Sequence, residues 1–129
     1  MRVAKGGTAG QPSSKPAGTF TGEVFMDTVF KVQEGVATAT VLFTPGARTF
    51  WHSHEHGQVL FVARGRGVVV SRDGQSSSIV AGDVVHASPG EIHWHGGSLE
   101  SFLVHTAVSL GETTWLDEVS DEDYMKYAN

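Results

Sequence analysis

The stretch Gly46-Ala47-Arg48-Thr49-Phe50-Trp51-His52-Ser53-His54-Glu55-His56-Gly57-Gln58 decides how this chain folds. His52 and His54 stand two residues apart, and on a β-strand such residues point to the same face, with Ser53 on the other. The Glu55-His56-Gly57 turn follows, and if pairing resumes in register the Gln58 amide joins that face. His93 and His95 repeat the spacing after a Pro89-Gly90-Glu91 turn, and His105 lies further on, in phase with Leu103 and Ala107. Polar side chains from His52, His54, Gln58, His93, His95 and His105 therefore converge on what is otherwise an apolar interior. Buried imidazoles without partners are costly. A divalent cation removes that cost, because neutral imidazole is a preferred ligand of first-row transition metals. The pattern reads as a metal site inside a β fold.

Outward from these pairs the chain alternates short β-type runs with turn chemistry. Candidate strands are Thr19–Met26, Val36–Phe43, Thr49–His52, Gln58–Ala63, Gly67–Ser71, Ser77–Val80, Val84–Ala87, Ile92–His95 and Ser101–Val108. The breaks carry Pro45-Gly46, Gly65 to Gly67, Asp73-Gly74, Gly82-Asp83, Pro89-Gly90 and Gly96-Gly97, all strong turn signals. Arg72-Asp73-Gly74-Gln75 predicts a two-residue hairpin. Strands this short, without intervening helical periods, indicate a sandwich or barrel. Ser120 can cap a short helix through Asp121-Glu122-Asp123, whose acids suit the positive helix N-terminus. Three segments result: an N-terminal arm over 1–18 that is Gly/Pro-broken and expected to be flexible, a barrel over 19–111, and an acidic C-terminal segment over 112–129 with the helix.

Composition excludes several classes. With 129 residues and no cysteine, the chain is one domain without disulfides, zinc-thiolate sites or thiol catalysis. Six acids and one base lie from Glu112 onward, leaving eight bases and eight acids before it. A neutral body with an acidic end argues against nucleic acid. The longest apolar run, Val59–Ala63, is far too short for a membrane helix, and no secretory signal is visible, so the expected location is the cytoplasm. The apolar strands outside the barrel suggest a homodimer or higher homo-oligomer covering a sheet edge. Lone histidines on strands are commonly satisfied core or lip residues, and His56 and His86 read that way. Trp51 and Trp94 alternate with the ligand positions and read as wall or interface packing. Arg48 has two readings, a lip salt bridge or a clamp on a substrate anion.

Gly46-(x5)-His52-x-His54-(x3)-Gln58-(x6)-Gly65 resembles the first cupin motif, and Gly82-Asp83…Pro89-Gly90-(x2)-His93 resembles the second. The resemblance implies an all-β double-stranded β-helix, the jelly-roll barrel, with a metal in its mouth held by His52, His54 and His93. Gln58 stands where most metal cupins have Glu. The segments Gly46–His54, Gly57-Gln58, Ser88–Gly96 and Val119–Glu122 are similar to the small bacterial cupin hydroxynitrile lyases. That similarity implies a manganese-type ion on three His and one Gln, with His95 and His105 at proton-transfer positions, splitting a cyanohydrin into an aldehyde and cyanide. The donor set itself also admits iron, nickel or zinc. Alternatives are a mononuclear iron dioxygenase and a non-catalytic cupin that binds a small ligand. Oxygen consumption separates the first alternative from the lyase. Dispensable His95 and His105 would mark the second.

Overall fold

Residues Gln58–Ser71 form one continuous 14-residue strand in the computed structural model, where the sequence predicts two. The structure describes residues 1–128. A single-turn 3-10 helix over Lys5–Gly7 precedes β1 (Phe20–Thr21), β2 (Val24–Gln33), β3 (Val36–Phe43), β4 (Arg48–Thr49), β5 (His52–His54) and β6 (Gln58–Ser71). Then come β7 (Ser76–Val80), β8 (Val84–Ala87), β9 (His93–Gly97), β10 (Leu103–Leu110), β11 (Thr113–Trp115) and α1 (Asp121–Tyr127). The strands build a nearly closed barrel in the order β1-β4-β9-β6-β10-β3-β2, with β7 and β8 also on β6 and β5 bridging β9 to β11.

β6 holds the barrel together because it belongs to both walls. Gln58–Phe61 pairs β8 and β10, whereas its far end pairs β7 and β9. Crossing between walls requires a bend, and the register slips between Val104 and His105, where Ala63 is passed over two residues before Gly65 at φ 76°. A Cβ on Gly65 would lie 1.9 Å from the Phe102 carbonyl oxygen, so the predicted turn is a left-handed glycine inside a continuous strand, beside the bulge at Ala63. Gly96 behaves alike: β9 runs through the expected Gly96-Gly97 turn because its backbone passes too close to Ala47 and Arg48 for any side chain. The Arg72–Gly74 loop does make a hairpin, but of three residues, with Ser71 N–H bonded to Gln75 O and Gly74 at φ 99°.

The core divides in two. Val24, Val41, Phe43, Val62, Ile79 and Leu103 fill the barrel, and Val68, Val70, Trp94 and Val119 pack with Tyr124 of α1. The helix starts as its sequence predicts, with Ser120 Oγ accepting from Asp123 N–H at 3.1 Å. The barrel extends beyond residue 111, since β11 pairs β5. Residues 1–18 lie against their own chain's β2, where Ser14 and Met26 exchange two backbone hydrogen bonds of 2.8 Å. No helix among the described residues is long and apolar enough to cross a membrane.

Candidate metal centre

Three strands carry the histidines to one place. β5 supplies His52 and His54, β9 supplies His93 and His95, and β10 supplies His105, while Gln58 opens β6. His52 and His93 are direct register partners, and their ring centroids lie 4.4 Å apart. His54 stands 5.0 Å from His52 and 5.8 Å from His93, and His95 is 5.2 Å from His52. All six side chains are buried. The parity that puts i and i+2 residues on one face is what gathers them.

Hydrogen bonding orients the rings. His52 Nδ1 lies 2.9 Å from Phe50 O, and His93 Nδ1 lies 2.9 Å from Glu91 O. A carbonyl only accepts, so each Nδ1 carries the proton and donates it, and the neutral ring leaves Nε2 bare. His54 Nδ1 is held by Thr113 Oγ1 at 3.0 Å, and its Nε2 is buried without a partner. His93 Nε2 faces Gln58 Oε1 at 3.1 Å, two acceptors with no proton between them. Backing one imidazole nitrogen while the other points inward is how metal-binding histidines are held. Converging bare acceptors repel each other unless a cation sits among them. His52, His54, His93 and Gln58 therefore fit a divalent ion.

His95 belongs to the same cluster. Its Nδ1 lies 3.0 Å from His105 Nε2, and its Nε2 has no partner. The ring nitrogens that approach most closely, all within 4.8 Å of one another, belong to His52, His93 and His95 rather than to the predicted His52, His54 and His93. His95 thus offers a further donor beside the four read from the sequence.

Burial dominates the electrostatics. It pushes His52 and His95 well below the ordinary 6.5, with neighbouring imidazoles pushing the same way. His54 falls to about 4 through burial and then His93, His105 falls to about 4 through burial, and burial lowers His93. All five rings are neutral at neutral pH, the form that binds metals and accepts protons.

His52, His54, Gln58, His95 and His105 line a cavity of about 420 Å³ whose walls also include Phe20, Met26, Phe30, Val41, Phe43 and Trp115. A family model for the Cupin domain matches residues 39–102. The (R)-mandelonitrile lyase of Granulicella tundricola is 42% identical over 123 residues, spanning 90% of this chain and 94% of that one. The chain belongs to the cupin family. A cupin-like protein of Thermotoga maritima superposes with a TM-score of 0.86 at 36% identity, covering 92% of this chain and 95% of that one. The polyketide cyclase RemF of Streptomyces resistomycificus shares the fold at 16% identity with a TM-score of 0.73, covering 96% and 89%.

Other singled-out residues of this cupin lie outside the cluster. Arg48 is buried, but every donor it uses turns toward the C-terminal segment or its own loop. Nη2 reaches Val119 O at 2.8 Å and Asp121 Oδ1 at 2.7 Å, Nη1 reaches Gly46 O, and the guanidinium lies 4.6 Å from the Tyr124 ring centroid. Of its two readings the structure shows the salt bridge, and it fastens α1 rather than a substrate. Trp94 packs with Tyr124 and Tyr127 under the helix, and Arg72 covers Trp51. His56 and His86 are exposed. His93, which does not line the cavity of about 420 Å³, walls a second one of about 320 Å³ together with Ser71, Ser76, Ser77 and His86. Sequence reasoning missed Thr113 and Ser109, the partners of His54 and Gln58. The signal for Ser109 was present, because it continues the inward parity of Leu103, His105 and Ala107.

Proposed function

We propose that this cupin is a metal-dependent hydroxynitrile lyase that splits a neutral, aryl-type cyanohydrin into an aldehyde and hydrogen cyanide. The observation that supports this best is the similarity to a mandelonitrile lyase over nearly the full length of both chains. The apolar cavity above the histidine cluster agrees with it. His52, His54, Gln58 and His93 would hold the ion, with manganese the metal proposed. When bound, it supplies positive charge that makes a nearby hydroxyl a stronger acid.

The remaining steps fall to the chain's own residues. In the tautomer where His95 Nδ1–H donates to His105 Nε2, the unpartnered His95 Nε2 borders the cavity as a base. It takes the substrate hydroxyl proton. The carbon–cyanide bond breaks with its electron pair leaving on cyanide, and cyanide takes up the proton, so nothing is oxidised or reduced. His105 holds the His95 ring at the other nitrogen. Phe20, Phe43 and Trp115 would enclose the aryl group and exclude water from it.

The protein is also proposed to act as a homodimer. Phe61 and Val84 are register partners on the outer face of β6 and β8, and both are exposed, the kind of apolar strand pair a second copy covers.

The test is turnover of an aryl cyanohydrin by the metal-loaded protein under air and under argon, with aldehyde, cyanide and oxygen followed together. Equal amounts of aldehyde and cyanide, at the same rate in both atmospheres, are expected. Oxygen uptake matched to turnover would replace the lyase with the dioxygenase reading, and binding without turnover would leave a ligand-binding cupin.

A further inference from the structure

We propose that Ser109 is a positioning residue that lets the Gln58 side-chain amide turn over as the metal enters. The inference rests on the metal-centre reading and not on the lyase reaction. In the structure Gln58 Oε1 faces His93 Nε2 at 3.1 Å, and Gln58 Nε2 donates to Ser109 Oγ at 3.0 Å. Glu91 O fixes the His93 proton on Nδ1, so Nε2 presents a lone pair to the amide. With Oε1 toward the imidazoles, Gln58 presents a metal ligand. In metal-free protein that same orientation opposes two lone pairs.

An amide has a way out that a carboxylate lacks. Rotation by about 180° about its last carbon–carbon bond exchanges oxygen and nitrogen without displacing other atoms. The NH2 group then donates to His93 Nε2, and Oε1 turns to Ser109. A hydroxyl both donates and accepts, so Ser109 satisfies the amide either way, by rotating its own proton. Its position is set by the sheet, since Ser109 is the register partner of Gln58 across β10 and β6. A one-way partner would not permit this. A carboxylate at 109 would only accept, holding NH2 to itself and Oε1 permanently toward the histidines.

Nitrogen-15 NMR of metal-free and zinc-loaded protein tests this directly, through the scalar coupling that a hydrogen bond transmits between two nitrogens. A coupling between the Gln58 side-chain nitrogen and His93 Nε2 is expected in the metal-free protein and its loss on adding zinc. In metal-free Ser109→Asp the coupling is expected to be absent, and in Ser109→Thr present. Thr and Val share a shape, so a purely structural role treats them alike. Ser109→Val should nevertheless bind zinc about fivefold more weakly than Ser109→Thr, because the metal-bound amide keeps an unpaired N–H, which is worse tolerated than an unpaired carbonyl. An amide that keeps one orientation while zinc shifts the His52, His54 and His93 resonances overturns the turnover. Equal zinc affinity in the Thr and Val variants overturns the part given to Ser109. Zinc that leaves those resonances unmoved instead refutes the metal centre itself, a separate failure.

Discussion

Acidifying the metal-free protein should unfold it through its histidines before its carboxylates titrate. His105 is fully buried and is held at about 4, against an ordinary 6.5. The unfolded chain therefore binds the proton first, and stability falls as the pH drops from 6.5 toward 4. Each pH unit of that gap is worth about 1.4 kcal/mol, so His105 alone contributes about 3 kcal/mol above pH 7, of which about 2 is gone by pH 5. His52, His54, His93 and His95 are all lowered as well and act in the same direction. Against a total stability on the order of 5–15 kcal/mol, the loss is large. Urea unfolding of chelator-treated protein, followed by tryptophan fluorescence at pH 7.5, 6 and 5, measures it. The midpoint should fall steadily over that range. His105→Phe, which places an apolar ring beside Phe43, should flatten the slope by about 2 kcal/mol between pH 7 and 5. A wild-type midpoint unchanged from pH 7.5 to 5, or a variant with the same slope, would refute the assignment of buried neutral rings.

Four further outcomes are expected. His52→Ala should lose bound metal and turnover together by elemental analysis and assay, whereas His95→Ala should keep metal and lose about 10²–10⁴ in kcat, the usual reach of a proton-transfer group. If His95→Ala loses metal instead, His95 is a ligand, as its proximity to His52 and His93 allows. Gln58→Glu should hold metal as tightly or more tightly but turn over more slowly. Arg48→Ala, which strips α1 of its anchor, should lower the melting temperature measurably and release Trp94 fluorescence to solvent. Sedimentation of the wild type should show a dimer, and Phe61→Glu should shift it toward monomer.

The sequence carried the site further than it carried the strand boundaries. Period-two parity is a local property, so His52 with His54, and His93 with His95, could be placed on one face without knowing the partner strands. The β10 parity likewise extended to His105. What joins these faces is long-range, and residues such as Gly65 and Gly96 show why local sequence does not reveal it. Locally each looks like a turn glycine. In the fold each is demanded by a backbone passing beneath it, Phe102 O in one case and Ala47 O in the other, and strand pairing runs on through both. Arg48 shows the same limit. Its two readings differ only in what lies opposite, and what lies opposite is a segment more than seventy residues away. β11 was hidden because Thr113–Trp115 is too short to show alternation and gains its definition from β5.

The donor set bears on the chemistry through charge. Three imidazoles and an amide are all neutral, so a dication held by His52, His54, Gln58 and His93 keeps its full charge. Among the described residues no carboxylate lines the main cavity, and Lys31, near Phe30 and Val32 in the lining, is a further positive charge. Burial keeps His95 and His105 from adding charge of their own. With such an ion bound, negative charge developing on what reacts there would be drawn to it. On the proposed lyase reading, a neutral cyanohydrin would enter the apolar cavity without charge, and would develop it on the hydroxyl oxygen and the departing cyanide only as the bond breaks. Interactions that strengthen only as charge develops lower the barrier, not merely the dissociation constant. A glutamate in place of Gln58 would offset half of the ion's charge before any substrate arrived. The slower turnover expected of Gln58→Glu follows from that difference, and a faster variant with unchanged metal content would show that charge at the metal is not the controlling term.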